Sequence, residues 1–101
     1  MSAELAKWLN LCRKAGALPV GAAAARASLK SGKALLTVTA SDAGAAIVRE
    51  METLSRDRGV PLLRAGIRKK ELGVLTGRGA TAVMVVTNSE LALKIQEILK
   101  S

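Results

Sequence analysis

The sequence has 101 residues, no histidine, a single cysteine and a net charge of +8 from 16 basic and 8 acidic residues. Without histidine or a second cysteine, an intramolecular disulfide, the usual zinc sites and the Ser-His-Asp and Cys-His catalytic devices are excluded. We therefore expect one non-catalytic domain over residues 1–101, without metal or cofactor. No run of about 18 apolar residues and no leader-like N-terminus is present, which predicts a cytoplasmic protein without a membrane span.

The first part of the chain alternates between helix and strand patterns. Apolar residues at spacings of three and four predict a helix over residues 3–14, which Gly16 ends. A short extended piece follows over residues 17–20. Strong helix formers then predict a second helix over residues 22–31, and a β-branched run predicts a strand over residues 34–40.

The remaining predicted elements continue the alternation. They are a helix capped by Ser41 or Asp42 and running to about Arg58, a strand over 60–65, a short helix over 68–75, a glycine-bearing loop over 77–81, a strand over 82–87 and a final helix capped by Asn88 or Ser89. This order is typical of an α/β domain with a largely parallel sheet between helical layers. Ligands of such sheets usually bind at strand ends and helix N-termini, here the loops before Ala22 and after Leu75.

The excess positive charge lies in two segments of the chain. Residues 13–33 carry five basic residues and no acidic one, and residues 64–78 carry five basic residues against one acidic residue. A surface kept charged only for solubility is the alternative, but such surfaces usually mix the two signs. A surplus of one sign increases long-range attraction to polyanions. The pattern therefore favours a nucleic-acid partner, provided that the two segments meet in the fold.

The start of the second helix consists of small residues. Gly21 precedes four alanines, which is explained either by helix propensity and close packing or by a helix N-terminus left open to a phosphate. Further along, Ala23, Arg26, Ala27 and Lys30 share one face by their spacing. This face combines small alanine side chains with two basic residues, which suits a nucleic-acid backbone better than a small anion.

Two sets of residues, taken together, resemble a known family. The first set is Arg13-Lys14-Ala15-Gly16, Val20-Gly21, Ser31-Gly32-Lys33-Ala34 and Ser41-Asp42-Ala43; the second is Val60-Pro61, Arg68-Lys69-Lys70-Glu71-Leu72-Gly73 and Gly77. In order and spacing they are similar to the kink-turn RNA-binding ribosomal proteins of the archaeal L7Ae, eukaryotic L30e and bacterial YlxQ and YbxF type. The resemblance implies a three-layer α/β/α sandwich with a mixed four-stranded sheet.

The resemblance also implies where RNA would bind. In that family the start of the second helix enters a kinked RNA beside sheared G·A pairs, and the loop before the last strand packs on an extruded base. A Gly-x-Asn-Glu-x-x-Lys motif reads guanine edges there, whereas this chain keeps Gly21 but has Ala23, Ala24 and Ala27 at the other positions. Since each good base contact discriminates by about 1–3 kcal/mol, we expect backbone binding to survive better than kink-turn specificity.

We therefore expect a monomeric, non-catalytic protein that binds structured, kink-turn-like RNA, with ribosomal RNA as one candidate. The predicted RNA-binding residues are Arg13, Lys14, Gly21, Ala22, Ala23, Arg26, Lys30, Lys33, Arg68, Lys69, Arg78, Gly79, Ala80 and Thr81. The backbone at 21–23 and the cations would meet phosphates, and residues 79–81 would pack on a base or sugar. One alternative is a protein-interaction module on the same fold that has lost kink-turn specificity. An enzyme acting on RNA is the other, and the lack of an activated nucleophile disfavours it.

Overall fold

Residues 3–100 form five helices and three strands. A computed structural model describes residues 3–100, so Met1, Ser2 and Ser101 at the ends of the predicted 1–101 domain lie outside the described residues. In chain order the elements are α1 (Ala3–Lys14), α2 (Ala22–Lys30), β1 (Leu36–Thr39), α3 (Ala45–Asp57), β2 (Leu62–Arg64), α4 (Lys69–Thr76), β3 (Val83–Val86) and α5 (Ser89–Lys100). Each corresponds to a predicted element, with bounds that differ by no more than three residues.

The sheet is mixed, as the resemblance implied, and the prediction of a largely parallel sheet is wrong. Its strand order is β2-β1-β3, with β1 parallel to β2 and antiparallel to β3. The chain after α4 folds back along that helix, so that the N–H of Thr81 donates to the carbonyl of Lys69 at 2.9 Å. Because Lys69 begins α4, the chain returns to the end of the sheet from which β2 left. β3 must then run in the opposite direction.

In the part of the chain that the structure describes, the sheet has three strands and not the four that the resemblance implied. Residues 17–20 take the place of the fourth, where Val20 forms one antiparallel bridge with Met84. The carbonyls of Ala17 and Pro19 accept hydrogen bonds from the N–H groups of Thr87 and Val85, each at 3.0 Å. Pro19 has no N–H to donate, so the pairing with β3 stays incomplete.

The core lies on both faces of the sheet, which gives the predicted three-layer α/β/α arrangement. Side chains of a strand alternate between faces. Leu36 and Val38 of β1 therefore pack in one buried cluster with residues of α1, α4 and α5. Val83 and Val85 of β3 pack in a second cluster with residues of α2 and α3. These two layers hold the start of α2 and the end of α4 at fixed positions relative to β3.

Asp42 caps a different helix from the one predicted. The prediction that Ser41 or Asp42 caps α3 is wrong, because α3 has Gly44 at its N-cap and no side-chain hydrogen bond there. The Oδ1 of Asp42 instead accepts the N–H of Lys69, at the start of α4, at 2.7 Å. Since β1 and β2 are parallel, the residues that follow each of them lie at the same end of the sheet. Asn88 does cap α5, where its Oδ1 accepts the N–H of Leu91 at 3.0 Å.

Candidate nucleic-acid interface

One end of the sheet brings the start of α2 next to the loop between α4 and β3. The N–H of Gly21 donates to the carbonyl of Val83, the first residue of β3, at 2.9 Å. The N–H of Ala40, just after β1, donates to the carbonyl of Ala82 at 2.9 Å. The two segments singled out from the sequence are therefore neighbours. We call this surface the α2/α4 edge and define it as residues 21–23, 68–69 and 77–81.

The N-terminus of α2 is open on this edge. Gly21 occupies the N-cap with φ 97° and ψ 163°, and no side chain caps the helix. Residues with side chains rarely adopt that conformation, so the position favours glycine. Ala23 is exposed, and the first N–H groups of a helix have no partner within the helix. Together with the positive end of the helix dipole, they form a place where a phosphate would be stabilised.

Backbone hydrogen bonds fix the loop 77–81 on α4. Gly77 ends α4 in the left-handed conformation, with φ 71°. The N–H of Arg78 donates to the carbonyl of Gly73 at 2.9 Å, and that of Thr81 donates to Lys69 at 2.9 Å. Both ends of the loop are thus attached to the same helix. The loop is held in place before any ligand binds.

The loop also lies in direct backbone contact with α4 at Gly73. A Cβ at this buried position would overlap the carbonyl oxygen of Gly79 and would lie 3.0 Å from the carbonyl oxygen of Arg78. The Oγ1 of Thr81 donates to the Gly79 carbonyl at 3.0 Å. Thr81 is only 3% exposed, so its side chain stabilises the loop and does not face a ligand. Gly79 and Ala80 remain exposed at the tip.

The Asp42 carboxylate places a negative charge at the start of α4. Its hydrogen bond from the Lys69 N–H, with a smaller contribution from the nearby Arg68 guanidinium, lowers the pKa of the Asp42 carboxyl below its usual range. The Nε of Arg68 lies 3.6 Å from Oδ2 of Asp42, and the Arg68 side chain is mostly exposed. The carboxylate therefore holds α4 while leaving this arginine accessible to solvent.

Asp42→Asn is expected to reduce stability at neutral pH and to remove part of the pH dependence of unfolding. The folded-state pKa lies below the unfolded value of about 3.9, so the ionised carboxylate stabilises the fold above about pH 4. That contribution is lost as the pH falls through the folded-state pKa. The melting temperatures of variant and wild type should therefore converge in acid. Asp57→Asn is the control, since Asp57 is exposed and has no ion pair within residues 3–100. Equal behaviour of the two variants would contradict the stabilising role of the ionised Asp42 carboxylate.

Several of the predicted cations lie on or beside the α2/α4 edge. Lys69 and Arg78 belong to it through the hydrogen bonds described above, and Arg68 precedes Lys69 at the N-cap of α4. Arg13 approaches it from α1: a Cβ on Gly77 would overlap Nη1 of Arg13. A hydrogen bond of 2.9 Å from Nη2 of Arg13 to Oδ1 of Asn10 steadies this guanidinium. The first basic segment thus meets the second at the end of α4.

Arg26 has a partner that the sequence did not indicate. Its Nε and Nη2 donate to the two carboxylate oxygens of Glu50 on α3, at 2.5 and 2.9 Å. These hydrogen bonds raise the pKa of Arg26 and lower the pKa of Glu50. The charge of Arg26 is therefore already compensated. The two residues are 24 positions apart, and only the packing of α2 on α3 brings them together.

Three other predicted cations lie away from the start of α2. Lys30 is in the last turn of α2, and a helix of nine residues is about 13 Å long. Lys33 precedes Leu35, whose N–H donates to the carbonyl of Val86 at the far end of β3. Lys14 leads into the segment that pairs with that same end of β3. The structure therefore brings Gly21, Ala22 and Ala23 together with residues 77–81, whereas Lys14, Lys30 and Lys33 lie elsewhere on the domain.

Within residues 3–100 no group of three His, Cys, Asp or Glu side chains could hold a metal ion, and no helix in that range could cross a membrane. Burial raises the pKa of the Cys12 thiol to about 11. A thiol with that pKa is protonated at neutral pH and is a poor nucleophile.

Comparison with known proteins relates this geometry to a family. The model of the ribosomal protein L7Ae/L30e/S12e/Gadd45 family matches residues 3–95. Among solved structures, the Giardia lamblia 15.5kD RNA binding protein is 27% identical, with a TM-score of 0.79 over 96% of this chain and 82% of that chain. A Bacillus halodurans protein of unknown function shares the fold, with 20% identity and a TM-score of 0.91 over 99% of this chain and 100% of that chain. No curated protein matches the sequence significantly.

Proposed function

Because the chain belongs to the ribosomal protein L7Ae/L30e/S12e/Gadd45 family, we propose that it binds structured RNA at the α2/α4 edge. The observation that carries this proposal is the hydrogen bond from Gly21 to Val83, which places the open end of α2 beside the loop 77–81. A relative of 27% identity is an RNA-binding protein. The RNA proposed is kink-turn-like, and ribosomal RNA is one source of such folds.

Backbone groups and side chains of the α2/α4 edge contact different parts of the RNA. The free N–H groups at the start of α2 meet one phosphate, and the exposed tip at Gly79 and Ala80 packs on a base or sugar. The cations that neutralise further phosphates are Arg13, Arg68, Lys69 and Arg78. Since phosphate contacts position an RNA without reading its sequence, the kinked shape of the backbone is what this edge recognises.

The experiment is a titration of the protein with a labelled kinked RNA and with a plain duplex of the same composition, over a series of salt concentrations. Four neutralised phosphates predict a slope of log K against log salt of about −3 for the kinked RNA. Arg78→Gln should reduce the magnitude of this slope by about one. The control is Arg56→Gln on the exposed side of α3, which should leave it unchanged. Equal affinity for both RNAs, or equal slopes for both variants, would contradict the proposal.

Glu50→Gln is expected to strengthen RNA binding. The variant removes the charge that compensates Arg26, so this guanidinium becomes available to a phosphate and the salt slope steepens by up to about one. Affinity should rise a few-fold at low salt. Glu52→Gln is the matched control, because it removes one negative charge from the same helix at an exposed position. If Glu50→Gln and Glu52→Gln bind the RNA equally tightly, any gain in affinity comes from the change in net charge. Arg26 then does not contact the RNA.

A further inference from the structure

A groove between α2 and α3 lies outside the α2/α4 edge. It is open to solvent and has a volume of about 440 Å³, within the usual size of ligand clefts. Its lining consists of Lys30 of α2 and, on α3, Ala46, Arg49, Glu50, Thr53 and Leu54. The α3 residues recur at spacings of three and four, so one face of that helix forms most of the wall.

The groove has an uncompensated positive charge. Lys30 and Arg49 are exposed, and neither forms an ion pair with another residue between 3 and 100. The acid of the lining, Glu50, is already neutralised by Arg26 through two hydrogen bonds. Lys30 lies near enough to Glu50 to help lower the pKa of its carboxyl, but the lining and Arg26 together carry three positive charges against one negative charge. Lys30 and Arg49 face the groove from opposite helices, and a ligand with two acidic groups would complement them.

The floor of the groove is apolar and offers few hydrogen-bond donors. Leu54 is half-buried against the core between α2 and α3, and Ala46 adds a methyl group to the lining about two turns nearer the start of α3. The hydroxyl of Thr53 donates within its own helix, to the carbonyl of Arg49 at 3.0 Å. A nucleic-acid strand is bound by a continuous positively charged groove that follows its backbone, whereas this lining has two cations on either side of an apolar floor. An apolar side chain flanked by carboxylates matches this surface better.

We infer that the α2–α3 groove binds a short acidic peptide segment of a partner protein. One apolar side chain of the peptide sits against Leu54, and the carboxylates of the peptide pair with Lys30 and Arg49. The contact uses none of the residues of the α2/α4 edge. The protein therefore holds RNA and a protein partner at the same time, on separate surfaces.

The test is selection from a phage-displayed library of random twelve-residue peptides on the full chain, followed by binding measurements on a synthetic selected peptide. Selected peptides should combine Asp or Glu with Leu, Ile or Phe. The double variant Lys30→Glu/Arg49→Glu should weaken their binding at least about tenfold, because two attractive pairs become repulsive. The control Arg58→Glu/Lys100→Glu changes the net charge equally at exposed positions outside the groove, and should leave binding within about twofold.

Three results would overturn the inference. They are the failure to select any peptide, the selection of basic or uncharged peptides, and equal binding to both charge-reversed variants. A competition experiment separates the groove from the RNA edge. If the kinked RNA displaces the peptide, the groove belongs to an RNA site instead. Thermal unfolding of both variants shows that each is folded, so a loss of binding reports on the groove itself.

Discussion

Replacing Ala23, Ala24 and Ala27 by Asn, Glu and Lys is expected to raise the preference for a kink-turn RNA over a plain duplex at least about tenfold. Each good contact to a base edge is worth about 1–3 kcal/mol of discrimination, and about 1.4 kcal/mol corresponds to a factor of ten. Ala23 and Ala27 are exposed in the first two turns of α2, and Ala24 is half-buried between them. The new side chains would therefore project beside the open helix N-terminus.

A single variant provides the control for this gain. Ala27→Lys alone adds a positive charge to the same face of α2, so it should raise the affinity for kinked and duplex RNA by similar factors. Only the triple variant should change the ratio of the two affinities, which competition binding measures directly. If the ratio stays the same in the triple variant, α2 does not face the bases of the RNA, and the proposed docking is wrong.

Gly73→Ala is expected to destabilise the protein by about 1–3 kcal/mol, the usual range for an overpacked core position. Alanine is favoured over glycine inside a helix by about 0.5–1 kcal/mol, so helix propensity alone predicts the opposite sign. The added Cβ would overlap the carbonyl oxygen of Gly79 and would lie 2.7 Å from its carbonyl carbon. Both neighbouring atoms are backbone, so the loop 77–81 must move away from α4. RNA binding should weaken with it.

Gly79→Ala tests the same contact from the other side. A Cβ on Gly79 meets no atom within 4 Å, so this variant should unfold at nearly the wild-type temperature. Thermal unfolding of both variants gives the comparison, and backbone amide shifts of residues 77–81 report the movement of the loop. A Gly73→Ala protein as stable as wild type, with unchanged shifts in the loop, would contradict the assigned role of Gly73.

The elements of the fold could be predicted because their signals are local. Helix periodicity, β-branched runs and the glycines that end helices act over a few residues, and they predicted all eight elements. The direction of β3 could not be predicted in this way, because it depends on the loop folding back from Thr81 to Lys69. The capping partner of Asp42 is 27 positions away. It depends on β1 and β2 lying side by side.

The position of the candidate site was easier to predict than its chemistry. The start of α2 and the loop 77–81 do lie together, as the topology and the resemblance implied. The sequence could not predict which cations are free to bind a phosphate, because Arg26 and Glu50 come into contact only when α2 packs on α3. Thr81 is a buried support of the loop. The sequence does not single out Arg49, because positive and negative charges nearly cancel over residues 34–63.

The central claim is that one surface, the α2/α4 edge, receives the RNA. The most direct measurement is an NMR titration of isotope-labelled protein with a kinked RNA, following every backbone amide. The largest shifts should fall on residues 21–24 and 77–81, with small changes in α5 and in α1 before Arg13. Shifts concentrated on α5 and the first turns of α1, or no shifts at saturating RNA, would contradict the claim.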